Sequence, residues 1–337
     1  MSLSVEIEER ELPVLANLFS GRFTVSYPLY DLALFSVGPE GAGYRIEFIA
    51  EKEDFERGWR IFGTHATEMP SFTDYDECLL ASGVTSYENL AEFVGRLGIY
   101  RELKKEVRFG IDTNLLYHRF VTVTGAIAPE ETILPDIVRQ EVEYALNHKY
   151  SSRFTADLQA SAPAHADVIG EFENRKKKKS RKAAYLAMAE YRALRDRALL
   201  LETGADAAHT SRENDGLIVR GLRRFEEERF SLPVLLTADT AMADLCDAEG
   251  VEYFLFRSPY HERPGTTGPA AFFRLLAYLA VVFGVIDLGS VLVFSEYGGK
   301  GNDSSAFRLT FMDEDLHTEF TRDVEVCRKL LALGIER

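Results

Sequence analysis

Twice in this sequence an apolar run ends in an aspartate and leads directly into a helix, and this pattern favours a sheet with helical connections. Residues 107–111 lead up to Asp112, and the mostly apolar residues 234–238 lead up to Asp239. A helix over residues 241–249 is expected after the second aspartate. Open α/β sheets bind their ligands outside the carboxyl ends of the strands. Two aspartates at strand ends of one sheet therefore predict a site for a divalent metal ion.

A third acid lies on the apolar face of a predicted helix. Residues 133–135 form a short predicted strand that ends in a proline, which suits the start of the next helix. Glu141 is three or four residues away from Ile137, Val138 and Ala145, so it shares their apolar stripe. Its side chain is therefore expected to face the apolar side of the helix rather than water.

A fourth acid, Asp215, lies early in another amphipathic helix. Thr210 and Glu213 have the spacing of a capping box, which predicts a helix start near Ser211. The apolar stripe of this helix consists of Leu217, Ile218, Leu222 and Phe225.

Four segments in this order resemble the PIN-domain nucleases. They are residues 110–116 (Gly-Ile-Asp-Thr-Asn-Leu-Leu), 134–141 (Leu-Pro, then Val, then Glu), 214–218 (Asn-Asp, then Ile) and 236–239 (Leu-Thr-Ala-Asp). The resemblance covers about residues 105–257, close to half of the chain. Each piece is short, but their order and their strand or helix context are more specific than any one piece.

The resemblance implies an α/β fold whose PIN-like core has a central parallel sheet flanked by helices. It also implies an endoribonuclease that binds Mg²⁺ or Mn²⁺ and hydrolyses phosphodiesters of RNA, with single-stranded RNA expected. The metal-binding and catalytic acids would be Asp112, Glu141, Asp215 and Asp239. Side chains that could orient these carboxylates or a phosphate are Thr113, Asn114 and Thr237.

The gap between the second and third acids is longer than in compact members of the family. It contains a predicted helix over about residues 167–202, and a run of basic residues interrupts this acidic sequence. The basic residues are Arg175, Lys176, Lys177, Lys178, Lys179, Arg181 and Lys182. They are interpreted either as an arm that follows RNA phosphates or as a solvated surface, and charge runs are usually the latter.

The whole chain has the composition of a globular protein that buries a real core. Its 337 residues are 46% hydrophobic and 28% charged, with a net charge of −15. This charge excludes general nucleic-acid binding by bulk electrostatics, so RNA contacts need a local basic patch or metal ions. Three scattered cysteines and an acidic N-terminus predict a reducing, cytoplasmic location without a signal peptide. A homo-oligomer is compatible with the sequence.

Two further segments flank the resemblance. Residues 1–103 and 265–337 each contain a predicted strand, a glycine-containing turn, a second strand and a helix. They are expected either to pair as one α+β accessory domain or to be independent extensions. The apolar residues 275–294 are broken by Asp287 and Gly289, so a buried helix and a strand are expected there instead of a membrane segment.

Two other functions are considered. A phosphohydrolase of the haloacid-dehalogenase type also places acids after strands, as Asp239 and Asp244 could be. That chemistry needs a second aspartate two residues after the first, and position 114 is Asn, which cannot serve as an acid or base. A PIN-like scaffold or RNA-binding protein without catalysis is the non-enzyme alternative.

Overall fold

The chain forms two compact units, and each is described by itself. The structure is a computed structural model that describes residues 3–19, 21–146, 152–175, 183–204, 211–259, 265–298 and 303–335. The terminal unit consists of residues 1–78, 149–182 and 263–337, and the central unit consists of residues 79–148 and 183–262.

The terminal unit contains an eight-stranded antiparallel sheet. Its strands are β1 (Ser4–Glu8), β2 (Phe23–Tyr27), β3 (Leu32–Glu40), β4 (Gly43–Phe48), β10 (Thr266–Thr267), β11 (Val285–Asp287), β12 (Val291–Gly298) and β13 (Asp303–Phe311). Their order across the sheet is β1-β13-β12-β11-β2-β3-β4-β10. Ile7 pairs with Phe307, and Ser26 pairs with Asp287. Strands from both ends of the sequence therefore share one sheet.

Helices accompany this sheet in the terminal unit. They are α1 (Leu12–Ala16), α2 (Lys52–Ile61), α8 (Ser152–Ser161), α9 (Ala166–Arg175), α13 (Pro269–Phe283) and α14 (Glu314–Ala332), and α3 (Phe72–Ser82) crosses the boundary at residue 78. The apolar segment 275–294 forms the end of α13, all of β11 and the start of β12. Among the described residues, none of the helices is long and apolar enough to span a membrane.

The central unit is an α/β layer with a five-stranded parallel sheet, and this part of the expected fold is confirmed. Its strands are β5 (Glu106–Ile111), β6 (Thr132–Pro135), β7 (Leu199–Leu201), β8 (Ser231–Thr237) and β9 (Glu252–Leu255), in the order β7-β6-β5-β8-β9. Its helices are α4 (Leu90–Glu102), α5 (Thr113–Tyr117), α6 (Phe120–Thr124), α7 (Asp136–Leu146), α10 (Ala184–Arg195), α11 (Ser211–Glu228) and α12 (Thr240–Glu249). Phe109 pairs with Thr132 on one side and with Val234 on the other. The central strand is therefore β5, which ends next to Asp112.

Side chains of α4 cover the parallel sheet, which corrects the expected boundary at residue 103. The ring of Phe93 lies 5.9 Å from that of Phe109 and 5.1 Å from that of Phe254, measured between centroids. Phe93 is fully buried by these contacts. The residues from 79 onward therefore belong to the central unit rather than to an N-terminal accessory segment.

The prediction of one helix over residues 167–202 is wrong, because a strand lies within this range. Helix α9 belongs to the terminal unit, α10 belongs to the central unit, and Leu199–Leu201 form strand β7. The three leucines pair in parallel with β6, with Leu200 opposite Leu134, and so satisfy backbone groups at that side of β6. A short apolar run after a helix does not reveal this pairing, because its partner is distant in the sequence.

Candidate functional site

Asp112 is held at the carboxyl end of the central strand. Its backbone N–H donates to the carbonyl of Leu236 over 3.2 Å, which continues the pairing of β5 with β8. Asp112 is only 3% exposed and precedes the first residue of α5. The nearby Gly110 has no side chain, and a Cβ at this position would lie only 3.0 Å from Leu222 of α11. The strand and the helix α11 can therefore pack closely behind the aspartate.

Thr237 connects the two strand-end aspartates. Its hydroxyl accepts a 3.0 Å hydrogen bond from the backbone N–H of Asp239 and donates over 2.7 Å to Oδ2 of Asp112. The carboxylate of Asp239 also accepts a 2.8 Å hydrogen bond from the backbone N–H of Ala241, which caps α12. The predicted positioning role of Thr237 thus corresponds to a direct contact with Asp112.

Glu141 of α7 is fixed by residues next to two other acids. Oε2 of Glu141 accepts a 2.7 Å hydrogen bond from the hydroxyl of Thr113, and Oε1 accepts a 2.7 Å hydrogen bond from Nδ2 of Asn214. Thr113 follows Asp112 in the chain, and Asn214 precedes Asp215. Glu141 therefore joins the starts of α5 and α11 at the same end of the sheet.

The buried position of Asp112 opposes its ionisation. Burial raises the pKa of Asp112 to about 7, against the hydrogen bonds from Thr237 and from the backbone N–H of Thr113. The charges of Asp215 and Asp239 raise it further. Without a cation, a proton on this carboxyl group is therefore stabilised close to neutral pH.

Asp215 experiences the same kind of environment. Burial raises its pKa to about 6, and the charges of Glu141 and Asp239 act in the same direction. The charges of Glu141 and Asp239 thus raise the pKa of Asp215, and the charges of Asp215 and Asp239 raise the pKa of Asp112. Each of the four predicted acids therefore interacts electrostatically with at least one of the others.

The acids are near each other but do not form closed ligand geometry. No group of three or more His, Cys, Asp or Glu side chains in the described ranges is arranged to hold a metal ion. The donor set nevertheless suits a hard cation, because it consists of carboxylate oxygens whose charges destabilise each other. A divalent cation among them would offset that repulsion.

The structure places the other predicted residues in different settings. Asn114 is exposed on the first turn of α5. The basic run lies outside the described residues from position 176 to 182, and the side chain of Arg175 is not described either. Asn214 was not predicted as a site residue, although it is 4% exposed and bonds to Glu141. Its place beside Asp215 in the matched segment was the signal that could have identified it.

A buried glutamate supports the turn that follows α5. Glu190 of α10 is fully buried, and its Oε1 accepts a 3.0 Å hydrogen bond from the backbone N–H of Thr122. Its Oε2 accepts a hydrogen bond from the Thr122 hydroxyl and lies 3.5 Å from Nε of Arg119. Arg119 occupies the left-handed region with φ 50°, which is strained for this residue. The glutamate therefore holds a strained turn between α5 and α6.

Comparison with known proteins adds little to this geometry. No family model and no curated protein matches the sequence. A domain of a functionally unknown protein from Methanocaldococcus jannaschii DSM 2661 is similar in structure, with a TM-score of 0.30 and 18% identity. The similar region covers 47% of this chain and 95% of that chain. A likeness of this size carries no argument about fold family or function.

Proposed function

We propose that this protein is a metal-dependent endoribonuclease of the PIN type that hydrolyses phosphodiesters of single-stranded RNA. The observation that carries the proposal is that Asp112 and Asp215, near the carboxyl end of one parallel sheet, have pKa values raised by burial and by the charges of the other predicted acids. Ligands of open α/β sheets bind at this end. The sequence resemblance assigns the same four positions to metal binding.

The four acids would hold Mg²⁺ or Mn²⁺. These ions prefer oxygen ligands, and Mg²⁺ keeps several waters, so a few carboxylates are sufficient. When bound, the cation would neutralise charge on the phosphodiester and make water acidic enough to act near neutral pH. The mutual repulsion of Asp112, Asp215 and Asp239 supports this assignment, because metal binding would relieve it.

The remaining residues of the site keep the acids in position. The hydrogen bond from Thr237 fixes one oxygen of Asp112. Thr113 and Asn214 donate to the two different oxygens of Glu141, so the orientation of this carboxylate is set from both sides. Orienting contacts of this kind usually tune the affinity of a metal site.

The test is a cleavage assay on single-stranded RNA with purified protein. We expect products in Mn²⁺ or Mg²⁺, none in EDTA, and a loss of several orders of magnitude in Asp239→Asn. The matched control is Asp244→Asn, because Asp244 is an exposed acid on the same helix. Metal-dependent RNA binding without cleavage would instead favour a non-catalytic scaffold. Equal activity of Asp239→Asn and the control would refute the assignment of the acids.

A further inference from the structure

A small cavity in the central unit lies beside the turn between α5 and α6. Its volume is about 150 Å³. Residues that line it include Leu80, Thr85, Tyr87, Leu90, His118 and Phe120. The lining thus combines apolar and aromatic side chains with several polar ones, and small-ligand sites use both kinds.

The cavity lies at the same end of the parallel sheet as the acids. The ring of Tyr87 is 4.8 Å from that of Phe256, which directly follows β9. Nδ2 of Asn89 donates over 2.9 Å to the carbonyl of Leu255, the last residue of that strand. Strands β5, β8 and β9 are parallel, so their carboxyl ends share one side. The short helix α5 also connects Asp112 to His118.

Among the described residues, one that lines the cavity has a buried hydroxyl without a hydrogen-bond partner. Thr85 is 7% exposed, and its Oγ1 has no hydrogen-bond partner within the part of the chain that the structure describes. A buried hydroxyl without a partner is costly for the folded state. Because Thr85 lines the cavity, a polar group of a ligand bound there could complete this hydrogen bond after a small rotation of the side chain.

The imidazole of His118, another polar group in the wall, is uncharged at neutral pH. Nδ1 of His118 is 2.6 Å from the hydroxyl of Tyr87. Burial lowers the pKa of His118 to about 4, so the imidazole is neutral and offers a hydrogen bond without charge. A wall of this kind suits a neutral, planar ligand with polar edges rather than a phosphate or a carboxylate.

We propose that this cavity binds one unpaired pyrimidine base of the RNA substrate. A cavity of about 150 Å³ has the volume that accommodates a single six-membered ring such as benzene. A purine has a second fused ring and exceeds that space. Aromatic side chains such as Tyr87 and Phe120 suit a nucleobase, and Thr85 and His118 suit its polar edge. The inference rests on the proposed action on single-stranded RNA and adds a base preference to it.

The test measures binding by the full-length protein in EDTA, so that cleavage plays no part. The probes are fluorescent oligouridylate and oligoadenylate of about eight nucleotides, a length within usual single-strand site sizes. We expect the protein to bind oligouridylate several-fold more tightly than oligoadenylate. Thr85→Val should weaken oligouridylate binding about fivefold, the usual effect of one hydrogen bond, without lowering protein stability. Thr85→Ser keeps the hydroxyl and should bind like the original protein.

A second variant tests the volume of the cavity. Val123 lines it and is partly exposed, so Val123→Phe should fill the space and remove the difference between the two probes. The inference is overturned if neither probe binds, if both bind equally to the original protein, or if Thr85→Val and Val123→Phe keep the full preference. If the preference holds but metal-dependent cleavage is absent, the cavity assignment stands and the nuclease proposal fails.

Discussion

Asp112→Asn should stabilise the metal-free protein above neutral pH, although it removes a proposed ligand. The pKa of Asp112 is raised to about 7 in the folded protein, from an ordinary value of 3.8. Well below pH 3.8 the carboxyl group is protonated in both states and has no effect. As the pH rises to about 7, only the unfolded state releases the proton, so the folded state loses stability.

The size of this effect follows from the two pKa values. Their difference corresponds to roughly 4 kcal/mol of lost stability once the pH exceeds 7. Asparagine avoids this loss, and its Oδ1 can still accept from Thr237. Asparagine has one acceptor oxygen where the carboxylate has two, so the hydrogen bond from the backbone N–H of Thr113 is weakened or lost, which costs about 1–3 kcal/mol. We therefore expect a net gain of about 1–3 kcal/mol near pH 8 and a net loss near pH 4.

The assay is urea unfolding in EDTA, followed by circular dichroism across this pH range. Asp244→Asn is the control, because its carboxyl group is exposed. Added Mg²⁺ should then stabilise the original protein by mass action and stabilise Asp112→Asn less. A difference in unfolding free energy between Asp112→Asn and the original protein that does not grow with pH would refute this reasoning.

Three other predictions concern the basic run, the terminal unit and the strained turn. Replacing the Lys and Arg residues of 175–182 by Ser should weaken RNA binding and make it less dependent on salt. The slope of log K against log salt concentration should decrease in magnitude by roughly 0.7 for each phosphate that the variant no longer neutralises. An unchanged slope would exclude a phosphate-binding arm. Deleting residues 265–337 removes the partners of β1 and β2, so the fragment should aggregate; a soluble fragment that unfolds cooperatively would contradict this. Glu190→Ala removes the acceptor for Arg119 and Thr122, and should lower the free energy of unfolding in urea by about 3 kcal/mol. A decrease below about 0.5 kcal/mol would show that Glu190 does not hold the turn.

Local sequence patterns were sufficient to predict the strands and helices around the acids. The apolar runs before Asp112 and Asp239 are β5 and β8, and Glu141 forms hydrogen bonds with Thr113 and Asn214 within the protein. These features depend on residues close together in the sequence, where strand and helix periodicities are expressed.

Contacts between distant residues were not predictable in this way. The packing of Phe93 on Phe254, which moves α4 into the central unit, joins residues far apart in the chain. The same holds for β7, whose leucines were included in a helix because they follow one directly. The hydrogen bond from Asn214 to Glu141 depends on the relative placement of α7 and α11, which no single helix pattern contains. The contacts that fix the site therefore join residues that are distant in the sequence.

The most direct test of the account is a crystal of the protein soaked in Mn²⁺ and measured for anomalous scattering. We expect an anomalous peak among the carboxylates of Asp112, Glu141, Asp215 and Asp239, with the acids drawn closer together than in the metal-free arrangement. Crystals of Asp112→Asn should show a weaker peak under the same conditions. A protein whose crystals bind Mn²⁺ elsewhere, or that shows no peak among these four acids, would contradict the proposed metal site.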